Sequence, residues 1–138
     1  MAQNTTTLYT ARTRTMGGRN GASRSSDGRL DIRISSPGVP GGGTNPEQLF
    51  AAGWSACFGD AMALAARKMN IALPAGLKID AEVDLNIAEG VYFLIARINV
   101  SVPGLDPARA HSLIDMAHQT CPYSRATRNN VDVQINLV

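Results

Sequence analysis

The chain has little net charge, few aromatic residues and only two cysteines among its 138 residues. Its formal net charge at pH 7 is +2, and no block of like charges occurs along it. A protein that binds nucleic acid usually carries a strongly basic surface, so we expect no nucleic-acid partner. The early arginines are spaced as on solvated strand faces, with few aromatic residues between them: Arg12, Arg14, Arg19, Arg24, Arg29 and Arg33.

Long hydrophobic runs are also missing. The longest one lies near Ala61 to Ala66, whereas a membrane-spanning helix needs about 20 apolar residues. Residues 1–7 are polar and lack the apolar core of a signal peptide. We therefore expect a cytoplasmic protein without a membrane partner.

Cys57 lies inside a long predicted helix, and Cys121 lies where a second predicted helix stops. In the cytosol a permanent disulfide is unusual, and a cysteine pair is more often catalytic, sensing or metal-binding. A thiolate is a strong nucleophile, and an oxidised thiol can condense with a second one to a disulfide. The pair therefore suggests a two-cysteine redox enzyme.

Hydrophobic residues make up 44% of the chain, enough for the core of one domain over residues 1–138. Alternation of apolar and polar residues predicts strands, and capping signals predict helices, in an α+β arrangement. The strands are expected at Leu8–Thr15, Leu30–Ile34, Ile79–Ile87, Val91–Val102 and Val131–Leu137, and the helices from Asn45 to about Met69 and from Asp106 to Pro122.

The first predicted helix begins with Asn45 as N-cap, Pro46 at N1 and Gln48 placed for a capping box. It is rich in small residues, and each glycine inside it costs about 1 kcal/mol relative to alanine. Such a helix makes sense where another backbone approaches closely. Alternatively, Gly53 marks a break that leaves Cys57 in the first turns of a second helical segment.

The segment from Val91 to Ala96 is apolar at every position. A strand with two apolar faces needs cover on both of them. One small domain with few helices does not readily supply that cover, so a partner subunit is expected.

A thiol peroxidase needs a permanent positive charge beside its sulfur, which lowers the thiol pKa and stabilises the charge that develops on the peroxide oxygens. Arginine suits this task, and a carboxylate can hold it in place. Glu47 lies ten residues before Cys57, close to three helical turns, so both can lie on one helix face. Arg19, in a glycine-rich turn, could reach between them.

Several stretches together resemble the organic hydroperoxide resistance branch of the OsmC/Ohr family. The Cys-Pro-Tyr-Ser form of the last motif points to that branch rather than to the OsmC branch. The matching stretches are Leu8–Ala11, Gly17–Gly21, Ser25–Gly28, Thr44–Gly53, Ser55–Phe58, Cys121–Ser124 and Ala126–Arg128.

This resemblance implies an α+β, OsmC-like fold that forms an intertwined homodimer, in which two sheets enclose central helices and the active sites lie at the interface. It makes Cys57 the peroxidatic cysteine and Cys121 the resolving one. It also assigns a catalytic salt bridge to Arg19 and Glu47. The implied substrates are organic hydroperoxides, including lipid-derived ones, and the implied reductant is a dihydrolipoyl group on a lipoylated protein. No metal and no bound cofactor is implied.

Two features differ from many relatives: the loop from Ser36 to Thr44 is shorter, and Trp54 stands where a tyrosine is common. Five apolar residues could line a substrate pocket, although core packing is the ordinary role of each. These are Leu49, Phe50, Trp54, Met62 and Met116.

Three other polar residues near the cysteines invite different interpretations. His111 and His118 share a helix face, but the paired spacing of common zinc sites is missing, so no metal site is expected. Asp60 follows Cys57 by one turn, where a carboxylate would raise the thiol pKa. We therefore expect Asp60 to face outward or to pair with an arginine.

Two alternative functions remain open. One is a peroxidase of the OsmC branch, with a broader physiology. The other is a redox sensor or binding protein that reuses the fold without catalysis. A sensor would need a readout surface such as a basic DNA-binding helix, and the sequence shows none.

Overall fold

The computed structural model describes residues 4–138. Within them, helices and strands are mixed in an α+β arrangement, as predicted. The elements in chain order are β1 (Thr13–Met16), β2 (Gly21–Ser25), β3 (Asp31–Ile34), α1 (Pro46–Lys68), β4 (Lys78–Ala88), β5 (Val91–Ser101), α2 (Pro107–Thr120), α3 (Pro122–Thr127) and β6 (Asp132–Leu137).

The chain divides into two compact units, Met1–Pro46 and Glu47–Val138, and each has its own three-stranded sheet. The single domain over residues 1–138 stays a prediction.

The N-terminal unit is an antiparallel meander in which β2 lies between β1 and β3. The predicted break after β1 is confirmed, since Gly17 and Gly18 both adopt positive φ there. Gly21 is required as well, because a Cβ on it would lie 1.8 Å from the carbonyl oxygen of Met16. The prediction that a strand begins at Leu8 is wrong. The strand begins at Thr13, which pairs with Ser25, the last residue of β2.

In the C-terminal unit, β5 is the central strand of the sheet. It pairs antiparallel with β4 along its full length, from Lys78 opposite Ser101 to Ala88 opposite Val91. Glu89 and Gly90 both have positive φ, which suits the tight two-residue turn between the strands. The last strand, β6, pairs parallel with β5 on its other edge. A parallel neighbour requires a crossover, and α2 and α3 supply it.

Helix α1 runs without interruption through Gly53, so the alternative of a break there is wrong. One side of α1 lies in the hydrophobic core, through Trp54, Phe58, Ala61, Met62, Ala65 and Ala66. Among the described residues α1 is also the one helix long and apolar enough to cross a membrane, with a mean hydropathy of 1.3 in its most apolar window. A core helix passes the same test, and its buried side identifies α1 as the core helix of this unit.

Helix α2 begins as predicted, with the Asp106 carboxylate accepting a hydrogen bond of 2.8 Å from the backbone N–H of Arg109. It ends at Thr120 and packs Ala110, Leu113, Ile114 and Ala117 inward. Pro122, however, also starts the short helix α3, which the sequence did not predict. Proline is well suited to a first helical position, because the N–H that it lacks has no partner there.

The far end of the β4–β5 hairpin is apolar and exposed. Val91 and Tyr92, neighbours that point to opposite faces of the strand, are 64% and 69% exposed. Leu85, Ile87 and Phe93 are exposed beside them. We call these five residues the hairpin end. Soluble proteins rarely leave so many neighbouring apolar side chains in water without a reason.

Candidate active site

Helix α1 presents four residues on one face, at helical spacings of three and four: Phe50, Gly53, Trp54 and Cys57. Trp54 is fully buried, whereas Cys57 and Phe50 are partly buried. The segment Cys121–Ser124 joins α2 to α3, and we call it the junction. It packs against this face of α1, as the contacts of Tyr123 and Ser124 show. The helix and the junction together form the walls of the candidate site.

The junction turns on Cys121, which ends α2 and begins α3. Its backbone is extended, with φ −62° and ψ 123°, so the chain leaves one helix and enters the next within a single residue. Its N–H donates to the Ala117 carbonyl at 2.8 Å, and its own carbonyl accepts from Arg125 at 3.0 Å. Because the Cys121 side chain makes no capping hydrogen bond, its thiol is left available to other groups.

The two free thiols lie together at this junction. The Cys57 sulfur lies within interaction range of Cys121 and of the backbone N–H of Tyr123. Cys121 is fully buried, whereas Cys57 is partly exposed. Of the two, Cys57 is therefore the thiol that a reagent in solution can reach.

The surroundings raise the pKa of the Cys57 thiol above its ordinary value. Burial is the largest cause, and Cys121 and the carboxylate of Asp60 raise the pKa further. The N–H of Tyr123 acts in the opposite direction, since it stabilises the thiolate. With its pKa raised, the thiol is mostly protonated at neutral pH. Nucleophilic chemistry at Cys57 would therefore benefit from a positive charge nearby.

We expect Asp60→Asn to make Cys57 more reactive, because it removes a negative charge that disfavours the thiolate. Asp60 is exposed, as predicted, and exposed charges act weakly, so alkylation by iodoacetamide at pH 7 should rise only about two- to fivefold. Asp115→Asn removes an exposed carboxylate from α2 instead, and it should leave the alkylation rate unchanged. A slower reaction of Asp60→Asn would contradict this account of the Cys57 pKa.

Aromatic rings surround the junction. The ring of Phe50 meets Trp54 edge-on at 5.8 Å between centroids, and it meets Tyr123 in the same manner at 6.2 Å. The indole Nε1–H of Trp54 donates a 3.2 Å hydrogen bond to the buried hydroxyl of Ser124. A Cβ on Gly53 would lie 2.6 Å from the Tyr123 hydroxyl oxygen. The glycine thus admits a tyrosine side chain, where the sequence suggested a backbone.

The residues predicted to line a substrate pocket separate into two groups. Trp54 and Met62 are fully buried and belong to the hydrophobic core. Leu49, Phe50 and Met116 retain some exposure. Phe50 contacts the rings of Trp54 and Tyr123, which makes it the best candidate of the five for a substrate contact. Their contact with a substrate stays a prediction.

Arg19 and Glu47 lie in different units. Arg19 is exposed in the turn between β1 and β2, and Glu47 is the second residue of α1. Its position in the first turn places the Glu47 carboxylate favourably for the helix dipole. The salt bridge between Arg19 and Glu47 stays a prediction.

His118 lies one turn before Cys121 and is partly buried, and His111 on the same helix is exposed. Burial and the nearby charge of Arg128 lower the pKa of His118, and Asp115 opposes them. Arg128 also donates to the His118 carbonyl at 2.6 Å. Within residues 4–138, no group of three or more His, Cys, Asp and Glu side chains is placed to hold a metal ion.

The motif Cys121–Ser124 is visible in the sequence, but the roles of the Tyr123 N–H and the Ser124 hydroxyl are not. The available signal was Pro122, since proline directly after a helix end can begin a new helix and leave the next N–H without a partner inside it. The contacts with α1, however, come from the tertiary structure.

Comparison with known proteins places the chain among proteins of similar length. The family model of OsmC-like proteins matches residues 39–136. The organic hydroperoxide resistance protein of Xanthomonas axonopodis pv. citri is 45% identical over 141 residues, which cover 99% of each chain. The crystal structure of organic hydroperoxide resistance protein OhrB of Bacillus subtilis aligns with a TM-score of 0.90 at 42% identity, over 96% of this chain and 100% of that one. The structure of an organic hydroperoxide resistance protein from Elizabethkingia anophelis aligns with a TM-score of 0.86 at 38% identity, over 96% of this chain and 98% of that one.

Proposed function

The chain belongs to the OsmC-like family and has the fold of the organic hydroperoxide resistance proteins, and we propose that it is a thiol peroxidase that reduces organic hydroperoxides to alcohols. Relatives of that name support a role in the detoxification of organic hydroperoxides. The observation that carries the proposed mechanism is the pairing of a partly exposed Cys57 with a buried Cys121.

In the first step, the thiolate of Cys57 attacks the terminal oxygen of the hydroperoxide. A sulfur–oxygen bond forms, the O–O bond breaks, and the alkoxide leaves and takes up a proton to become the alcohol. Cys57 becomes a sulfenic acid. The nearby N–H of Tyr123 supports this step, because it lowers the pKa of Cys57 and so favours the charged form that attacks.

In the second step, the Cys121 sulfur attacks the sulfenic sulfur of Cys57. A disulfide forms, and the sulfenic hydroxyl leaves as water. The two side chains already lie close together, so the thiols need little movement to meet. A dithiol then reduces the disulfide by exchange, and we propose a dihydrolipoyl group on a lipoylated protein as the donor. The thiols alone carry the electrons, so the proposed cycle uses no metal and no bound cofactor.

We propose that Arg19 supplies the positive charge that lowers the raised pKa of the Cys57 thiol, and that Glu47 holds Arg19 in place. Arg19→Ala should slow the reduction of organic hydroperoxide about 10- to 100-fold and raise the thiol pKa, because the charge that stabilises both the thiolate and the developing oxyanion is gone. Glu47→Ala should act in the same direction but less strongly, since the charge remains and only its position is lost. Stopped-flow rates over a pH series check both variants.

Arg12→Ala serves as the matched control, because Arg12 is an exposed arginine of the same unit with no proposed role. If Glu47→Ala proved more damaging than Arg19→Ala, the positioning role of Glu47 would be wrong.

We further propose a homodimer. The hairpin end leaves apolar side chains exposed on both strand faces. An open groove of about 380 Å³ lies between α1 and the chain at the start of β4. It is lined by small and aliphatic residues, namely Ala52, Ser55, Ala56, Gly59, Leu77 and Ile79. Sedimentation at micromolar concentration should therefore give about twice the 14.6 kDa mass of one chain. An active monomer under the same conditions would rule the dimer out.

A steady-state assay tests the proposed activity. tert-Butyl hydroperoxide, a fatty-acid hydroperoxide and hydrogen peroxide are each paired with dihydrolipoamide, thioredoxin and glutathione. We expect multiple turnovers with the organic hydroperoxides and dihydrolipoamide, and slower turnover with hydrogen peroxide. One equivalent of peroxide consumed with every reductant, and no more, would instead indicate a redox sensor. A preference for hydrogen peroxide would favour a peroxidase of the OsmC branch.

A further inference from the structure

The segment Cys121–Ser124 brings two groups to Cys57, the thiol of Cys121 and the backbone N–H of Tyr123. Neither group is fixed by the junction's own backbone alone, because α3 spans only six residues. A short helix of this kind has little stability by itself and relies on packing for its position. Cys121 is tied to α2 through its own N–H, and the contacts that hold the junction against α1 complete the positioning of both groups.

One of those contacts is a hydrogen bond between buried side chains. The indole of Trp54 donates to the hydroxyl of Ser124 at 3.2 Å, and both residues are fully buried. Trp54 lies three residues before Cys57 on the same face of α1, and Ser124 directly follows Tyr123. The bond thus joins the turn of α1 that carries the Cys57 thiol to the turn of α3 that carries the Tyr123 N–H.

The other contacts are made by rings and are less directional. The Tyr123 ring lies over Gly53 and meets the edge of Phe50, but it remains partly exposed. Packing of this kind limits how close the junction can come to α1, but it does not fix how far along the helix the junction sits. A buried hydrogen bond does restrict that position, since it has a preferred length and weakens steeply once the angle at its hydrogen falls below about 120°.

We propose that the hydrogen bond from Trp54 to Ser124 is a positioning contact that holds the Tyr123 N–H and the Cys121 thiol on the Cys57 sulfur. Trp54 and Ser124 are positioning residues, since they act on the sulfur only through the junction. The effect on disulfide closure rests on the proposed peroxidase mechanism, whereas the effect on Cys57 reactivity does not.

The test uses variants that remove one or both partners of the bond. Ser124→Ala removes the acceptor and leaves the buried indole N–H without a partner, which costs stability. Trp54→Phe removes the donor and keeps an aromatic ring. The double variant removes both partners, which restores part of that stability but not the link. Where Ser124→Ala does not fold, the double variant carries the test.

Thr127→Val is the matched control. Thr127 is another buried hydroxyl of α3, but it donates to the Tyr123 carbonyl within its own helix and not to α1. Valine has nearly the same shape. A merely structural effect of deleting a buried hydroxyl from α3 would therefore appear in this variant too.

The first readout is the rate of Cys57 alkylation by iodoacetamide from pH 5 to 10, with the modified cysteine identified by peptide mass spectrometry. The other groups of this unit that act on the Cys57 thiol are Cys121 and Asp60, and both remain in every variant. In Ser124→Ala, Trp54→Phe and the double variant we expect the profile to move to higher pH. The rate at pH 7 should fall about 3- to 10-fold, as for the loss of one hydrogen bond to the thiolate.

The second readout is disulfide closure after one equivalent of tert-butyl hydroperoxide, which should slow in the same three variants and not in Thr127→Val. An alkylation profile unchanged in the three variants, or shifted equally in Thr127→Val, would overturn the positioning role. If the wild type consumes no peroxide, the proposed function fails, and the alkylation profiles still decide the positioning role.

Discussion

Cys57→Ser should leave less than about a tenth of the wild-type rate of peroxide reduction, and we expect no measurable turnover. A serine hydroxyl is not ionised near neutral pH, so the attacking group is lost. Cys121 cannot replace it, because its thiol is fully buried and out of reach of a peroxide in solution. The measurement is consumption of tert-butyl hydroperoxide under steady-state conditions with dihydrolipoamide.

Ala63→Ser is the matched control for this variant. It places the same hydroxyl on another partly buried position of α1, so it tests whether an added serine disturbs the helix. Circular dichroism should show equal helix content in both variants, and Ala63→Ser should keep its activity. If Cys57→Ser retained more than a tenth of the wild-type rate, the assignment of the attacking thiol would be wrong.

Local signals predicted the larger elements of the C-terminal unit. Asp106 and Pro107 mark the start of α2 because capping depends on neighbouring residues alone. The start of α1 at Pro46 follows from the same kind of signal. The β4–β5 hairpin was predictable too, since apolar alternation and Glu89-Gly90 lie next to each other in the chain.

Other elements depend on pairing or packing and left no clear pattern. The sequence of β2, from Gly21 to Ser25, is short and polar, and it becomes a strand because β1 and β3 pair with it on either side. The parallel pairing of β6 with β5 is likewise a tertiary feature, as alternation predicts a strand but not its direction.

The candidate site was likewise predictable only in part. The sequence itself singled out Cys57 and Cys121 as a redox pair, and the resemblance to the OsmC/Ohr family gave each its role, whereas their spacing alone predicts no contact. The structure adds that a backbone N–H, from Tyr123, reaches the Cys57 sulfur. It also gives Trp54 a definite contact, a hydrogen bond to Ser124, where the sequence suggested only a side chain that lines a pocket. Both features depend on α3, which composition does not predict.

Cys121→Ser should leave the first reaction with peroxide nearly intact and block the later steps of the cycle. The attack uses the thiolate of Cys57 and the charge proposed for Arg19, and this variant keeps both groups. One equivalent of organic hydroperoxide should therefore still be consumed at close to the wild-type rate. Without a second thiol the sulfenic acid persists, and further peroxide should oxidise it to a sulfinic acid, which thiols do not reverse.

Mass spectrometry after one and after ten equivalents of tert-butyl hydroperoxide distinguishes the two proteins. The wild type should lose two hydrogens and show a disulfide between Cys57 and Cys121, which dihydrolipoamide then reduces. The variant should gain one oxygen and then a second on Cys57, and its turnover should stop. Serine at position 121 keeps the size of the buried side chain nearly constant, so a folding defect should not mask the result. A wild type that forms no disulfide within one chain would contradict the two-cysteine mechanism, even though the two thiols lie close together in the reduced protein.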